Sequence, residues 1–226
     1  MPRRVALLLF LCLIATSSGC NLVAFQNPLI KPTEAKLHRE LYGTYRTEDE
    51  HQIQFLHVGS AGKDFPTGMM RVIGVSLPKE WWQPIEQKNE IICCAEKIGD
   101  AYIIQVPVNV LDQIDDKKEV NWHKAWEEAK TSGYTAHLRI KQTTDGLEFA
   151  VLDTDFIAQQ ITEKKLPGSV ETKKSKITIL GVDSDYETKE IKVTATTEEL
   201  RKFFTQHIDG KLFSETETMV KWTRIK

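Results

Sequence analysis

Cysteine is scarce in this chain: four in 226 residues, and past position 20 only the adjacent pair Cys93-Cys94. No Cys-x-x-Cys is present and no second thiol pair exists, so a zinc site built on thiolates has no ligands to draw on. Adjacent cysteines close a strained small ring, and in a strand neighbouring side chains leave from opposite faces. The pair in Ile91-Ile92-Cys93-Cys94-Ala95 is therefore expected to be two small apolar residues, one inward and one outward, with a redox or metal role as the alternative. Charge of one sign is also lacking. Thirty basic against thirty-two acidic residues leave a net charge of −2. That balance gives no electrostatic footprint for nucleic acid and no polybasic patch for anionic lipid. The six histidines are scattered, with no His-x-His or His-Glu-x-x-His. No Gly-x-Ser-x-Gly elbow occurs, and Gly59-Ser60-Ala61-Gly62-Lys63-Asp64 lacks the Gly-Lys-Ser/Thr end of a phosphate loop. Asp183, Asp185 and Glu187 lack the central glycine and the spaced bidentate Glu of a calcium loop, and read as a solvated hairpin loop. No catalytic set, no cofactor and no metal are expected.

Long hydrophobic runs are missing too. The longest, Ala6 to Ala15, covers about ten residues, roughly 15 Å as a helix and half of a bilayer core. Arg3 and Arg4 precede it and small residues follow it to Cys20, which is the layout of a secretory signal peptide. Ser18-Gly19-Cys20 resembles the lipobox of bacterial lipoproteins, in which small residues precede a cysteine that is lipidated and becomes the mature N-terminus. Ser17 stands where that family usually has an aliphatic residue. A plain secretory signal cut near Gly19 is the alternative. The resemblance implies export, an acyl (palmitate-type) modification at Cys20 and attachment to the cell envelope. Asn21, in place of the Asp that holds some lipoproteins at the inner membrane, points by that analogy to the outer membrane. The expected organisation is a signal peptide over 1–19, a lipidated tether over 20–34 with Asn27-Pro28 and Lys31-Pro32, and a single β-rich domain over 35–226.

Period-two alternation dominates that domain. In His51 to Val58, Ile53 and Phe55 share one parity with His57, which predicts a partly buried, hydrogen-bonded histidine. Met69–Leu77, Ile91–Ala95 and Tyr102–Val108 read as further strands. Tyr134 to Lys141 alternates cleanly, placing Ala136, Leu138 and Ile140 inside and His137, Arg139 and Lys141 toward solvent. Thr143-Thr144-Asp145-Gly146 supplies a turn, and Leu147, Phe149 and Val151 continue the apolar face in a hairpin partner. Lys176–Leu180, Glu190–Ala195 and Glu217–Ile225 complete the strands. Helices are expected over Thr33–Leu41, Glu119–Lys130, from Asp153 to Leu166, and from Thr196, whose spacing to Glu199 is that of a capping box.

Many short strands with one polar face predict a mainly β fold, an antiparallel barrel or closed sheet with about three accessory helices. Leu41-Tyr42-Gly43-Thr44-Tyr45-Arg46 resembles the Gly-x-Trp signature that opens the first strand of lipocalin-like barrels, with Tyr45 in place of Trp. The resemblance implies that a basic residue of the last strand, here Arg224, lies across the ring and closes the barrel. Leu152 to Ala158 and Thr197 to Phe204, within Gly133–Lys226, resemble the C-terminal half of a family of uncharacterised bacterial lipoproteins. That likeness implies a fold and a location and carries over no catalytic residue.

The tryptophans divide. Trp122 and Trp126 lie one helical turn apart, as core residues do. Trp81-Trp82-Gln83-Pro84 reads as a loop, where the pair would line a barrel mouth or meet a partner. The expected function is a non-enzymatic role in the cell envelope, with a small apolar ligand inside the barrel. The alternative is an interaction module that binds another envelope protein through its outer surface and the Trp81-Trp82 loop.

Overall fold

The computed structural model describes residues 22–48, 52–78, 87–110, 120–179, 182–214 and 220–225. Eight strands close into an antiparallel barrel: β2 (Gly43–Glu48), β3 (Gln52–Ser60), β4 (Met70–Pro78), β5 (Gln87–Ile98), β6 (Ala101–Pro107), β7 (Tyr134–Gln142), β8 (Gly146–Leu152) and β12 (Val220–Arg224). Each pairs with the next in this order, and β12 returns to β2 through Arg224↔Tyr45 and Thr223↔Arg46. Closure leaves these eight strands no open edge. The chain is mainly β, with a lipocalin-like barrel and three α-helices among the described residues.

The remaining elements cover the barrel from outside. Helix α1 (Trp122–Ser132) is capped by Asn121, whose side chain accepts from the Lys124 N–H at 3.1 Å. Its Trp122, Ala125, Trp126 and Ala129 are buried, and the Trp126 indole donates to the Ile92 carbonyl on β5. Strand β1 (Leu22–Phe25) runs parallel to β10 (Val182–Val193), which forms a long hairpin with β9 (Gly168–Ile179). Helices α2 (Thr154–Thr162) and α3 (Thr197–His207) and the short β11 (Phe213–Ser214) complete this flank. Asp153 caps α2, and α3 opens with both bonds of a capping box between Thr196 and Glu199. Phe25, Phe203, Phe204, Ile191, Val193 and Phe213 pack there against Ile103, Ala150 and Leu152 on the outside of the barrel wall.

Several expectations are corrected. Residues 22–30, read as tether, carry β1, and Val23, Phe25, Leu29 and Ile30 are buried. Gln105 explains the second half of that segment: its side chain accepts from the Leu29 and Ile30 N–H groups and donates to the Ile30 carbonyl. The helix expected over Thr33–Leu41 is two 3-10 turns, Pro32–Glu34 and Arg39–Leu41. Strand β3 has the opposite phase. Gln54, Leu56 and Val58 are buried, and His57 is exposed with its Nδ1 3.1 Å from the Thr44 hydroxyl. Arg139, assigned to solvent, is buried beneath the flank, donates to the Ile208 carbonyl at 2.8 Å and lies over the Phe213 ring. Asp183, Asp185 and Glu187 belong to strand β10, opposite Thr178, Lys176 and Lys174.

The β7–β8 hairpin has the expected register, with Leu138↔Val151 and Ile140↔Phe149. Its first half departs from simple alternation. Ile104 pairs with Leu138 but Val106 with Thr135, so β7 carries one extra residue across Ala136-His137. The bulge puts Thr135, not Tyr134, on the inward set. Tyr134 then meets Trp126 of the outer helix, ring centroids 6.1 Å apart.

Candidate functional site: the barrel interior and its two ends

One end of the barrel is closed by a strap, residues 35–42, that crosses to the start of β2. Its fit needs Gly68, because a Cβ there would sit 1.8 Å from the Ala35 carbonyl oxygen. The strap is bonded to several strands. Tyr45 donates its hydroxyl to the Leu41 carbonyl at 2.8 Å, Gln142 donates to the Glu40 carbonyl, and Tyr102 donates to the Glu40 carboxylate at 2.8 Å. The buried His38 ring stands edge-on to Tyr102 with centroids 5.1 Å apart, its Nδ1 3.3 Å from Glu40. The Glu40 carboxyl is held below its usual range, first by the N–H of its own backbone and then by Tyr102. Burial, reinforced by that carboxylate, pushes the Tyr102 phenol up to about 12.

Tyr45 and Arg224 meet at this end. They are directly paired across β2 and β12, with the guanidinium 5.8 Å from the ring centroid, and Arg224 also donates to the Tyr42 carbonyl. Gly43 makes room: a Cβ there would lie 2.9 Å from Arg224 Nε. The glycine and the aromatic residue of the motif thus meet the same guanidinium, that of Arg224.

Inside, the half nearest the strap is filled. Tyr45, Leu56, Val58, Met70, Cys93, Tyr102, Ile140, Leu147, Phe149 and Trp222 are all buried in one apolar cluster. Cys93 is on the inward set opposite Met70, and Cys94 on the outer set opposite Gln105. Both are buried free thiols, and burial alone pushes Cys93 up to about 12. Such a thiol carries almost no thiolate at neutral pH and is a poor nucleophile or ligand.

The other half differs in chemistry. Following the register outward from Tyr45↔Leu56↔Gly74, the next inward positions are Thr47↔Gln54. Gly74 and Gln54 are buried, and Gly74 is the residue without a side chain among these positions. Across the barrel stand Val106, Thr135 and Val151, all buried, and the Thr135 hydroxyl has no hydrogen-bond partner among the described residues. One wall of this half is polar and the facing wall mainly apolar.

The Trp81-Trp82 segment lies outside the described residues. Its flanks, Pro78 of β4 and Gln87 of β5, leave the barrel at the end away from the strap. Cys20 also lies outside the described residues. Among those residues no three His, Cys, Asp or Glu side chains converge as a metal site. Near the β2–β12 closure, Arg46, Thr47, Lys221, Thr223, Arg224 and Ile225 line an open groove of about 690 Å³, where Lys221 is paired with Glu148. The Glu40–Tyr102 bond of the strap and the Gln105 clamp were missed in the sequence because their partners are more than sixty residues apart and follow no local period.

The strap, the Gly43–Tyr45–Arg224 contact and the eight-strand closure define a lipocalin-like barrel. Compared with family models, with curated proteins and with solved structures, the chain matches none.

Proposed function

We propose that this is an exported, lipid-anchored protein of the cell envelope that is not an enzyme. It holds a small amphiphile in the half of its barrel away from the strap. The observation that carries the reading is the division of the interior. Large side chains plug one half, whereas the other sets Thr47, Gln54 and the glycine at position 74 against Val106 and Val151. A purely apolar ligand would leave the Gln54 amide without a partner, at a cost of about 1–3 kcal/mol. An alkyl chain with a polar head suits both walls. Trp81 and Trp82 flank its entry, and the acylated Cys20 keeps the protein at the membrane, with the outer membrane favoured by Asn21.

The test is titration with dodecanoate, followed by tryptophan emission and native mass spectrometry. One equivalent should bind the wild type. Gly74→Leu, which adds a large side chain to the inward set, should abolish binding while the thermal midpoint holds, and Trp82→Ala should weaken it. Unchanged binding in Gly74→Leu overturns the reading. For the anchor, Cys20→Ser should move the protein from the detergent phase to the aqueous phase. Metabolic labelling that leaves wild type without fatty acid overturns that part.

A second reading, an interaction module, is favoured by the outer face of β3 and β4. There Phe55 pairs with Val75 and His57 with Ile73, and Ile53 and Phe55 of β3 and Ile73 and Val75 of β4, the strand before Trp81-Trp82 in sequence, remain partly exposed. Retention of another envelope protein by wild type, lost in Phe55→Asp while dodecanoate still binds, would favour it.

A further inference from the structure

The barrel is closed by its shortest ladder. Strand β2 runs on to Glu48 and β12 begins at Val220, yet the two pair only through Thr223↔Arg46 and Arg224↔Tyr45. Ile225 adds one bond at the strap end, donating its N–H to the Thr44 carbonyl at 2.8 Å. The same register carried the other way would set Trp222 against Thr47 and Lys221 against Glu48, and among the described residues neither pair forms. Beyond Arg46 the two strands part. The groove of about 690 Å³ follows this seam, with Arg46 and Thr47 on one side and Lys221, Thr223, Arg224 and Ile225 on the other.

The lining has the chemistry of an anion site. It carries three cations, Arg46, Lys221 and Arg224, and no carboxylate among the described residues. Lys221 is already met by Glu148 at 3.2 Å, just outside the groove. Arg224 differs. Its guanidinium is exposed, and its partners among the described residues are neutral, the Tyr42 carbonyl and the Tyr45 ring. A guanidinium offers five N–H donors in a planar fork that matches a carboxylate, and one carbonyl does not use them up. Thr47 and Thr223 add a hydroxyl each.

Thr47 joins the groove to the interior. It has the inward parity of Tyr45, is paired with the buried Gln54, and also lines the groove. The polar positions of the binding half thus lead sideways to the cations, at the place where the ladder stops. The described inward positions of that half, Thr47, Gln54, Val106, Thr135 and Val151, hold no charged side chain. A carboxylate left among them would lose its water with no cation to replace it. We infer that the amphiphile is an anion, its alkyl chain in the barrel and its carboxylate in the seam between β2 and β12, on Arg224 with Arg46 and Lys221 beside it. The inference rests on the proposed binding of an amphiphile in the interior.

The test compares dodecanoate with 1-dodecanol, which has the same chain and no charge. Both are titrated into the full chain at about pH 8, where the carboxylate is ionised, and followed by tryptophan emission and native mass spectrometry. Wild type should bind dodecanoate about tenfold more tightly than dodecanol, because hydrogen bonds to an ionised group are the stronger kind. In Arg224→Gln that preference should vanish while the affinity for dodecanol holds. An Arg224 that acted only through closure would weaken both ligands alike, and that result overturns the inference. The second variant, Arg46→Gln/Lys221→Gln, changes exposed side chains and leaves the Arg224–Tyr45 contact in place. It should reduce the preference in the same direction, and an undiminished preference there overturns the inference even if Arg224→Gln fails to fold. Equal affinity of wild type for the two ligands removes the seam and leaves the interior reading standing. Binding of neither removes that reading and the inference with it.

Discussion

The two ends of the barrel are built on opposite principles. At the strap end, Tyr45, Tyr102, Gln142 and Arg224, on four different strands, are bonded to one short segment, and the space behind them is filled with aromatic and branched side chains. At the other end the inward positions shrink and turn polar, through Gly74 to Thr47 and Gln54. An eight-stranded barrel has an interior just wide enough to be filled by side chains or to hold one small ligand. Here one half follows each course. Stability is concentrated where function is not proposed, so substitutions at the two ends should separate folding from binding.

The largest effect should come from the filled half. Phe149 stands opposite Ile140 with Trp222 edge-on, and Phe149→Ala should cost about 3–5 kcal/mol in urea denaturation. A loss under about 1 kcal/mol would mean that the residue does not sit in a packed interior. The strap comes next. Gly68→Ala places a methyl group against backbone that cannot turn aside, and should cost about 1–3 kcal/mol with faster proteolysis near residues 35–42. Full stability in that variant would show that the strap is loosely held. Arg224→Ala removes the guanidinium from the Tyr45 ring and should cost about 0.5–2 kcal/mol, with Arg224→Lys recovering only part of it because Lys lacks the flat fork.

The smallest effect is one of pH. Glu40 has its carboxyl held below the ordinary range in the folded state, so its contribution is present above the unfolded value of about 4.3 and is lost as pH falls through the lower folded value. The side chain is substantially exposed, so solvent screens the effect. Wild type should lose slightly more stability than Glu40→Gln between neutral and acid pH. Identical acid profiles would remove Glu40 from the closure.

Much of the barrel was legible in the sequence because it rests on local signals. Alternation gave the β7–β8 hairpin its faces, and the caps at Asp153 and Thr196 opened two helices where side-chain oxygen could satisfy the first N–H groups. The motif around Gly43 and Tyr45 pointed to a contact on the last strand that the register makes direct. What failed was non-local. Strand β3 reads in either phase because Ile53 and Phe55 are as apolar as Leu56 and Val58, and only the pairing of Leu56 with Tyr45 decides which face is inner. Arg139 follows the polar parity of β7 yet is buried, because residues 153–214 return to cover the wall. The polar positions Thr47 and Gln54 lie on separate strands and become a site only when these are aligned.

The most direct test of a divided interior is to locate a bound amphiphile by nuclear magnetic resonance. With methyl-labelled protein and dodecanoate, intermolecular Overhauser contacts should link the alkyl chain to the methyl groups of Val106 and Val151, and none should reach Met70 behind the strap. Contacts instead with Ile53 and Ile73 on the outer wall would contradict the account and leave the barrel a solid scaffold that binds from outside.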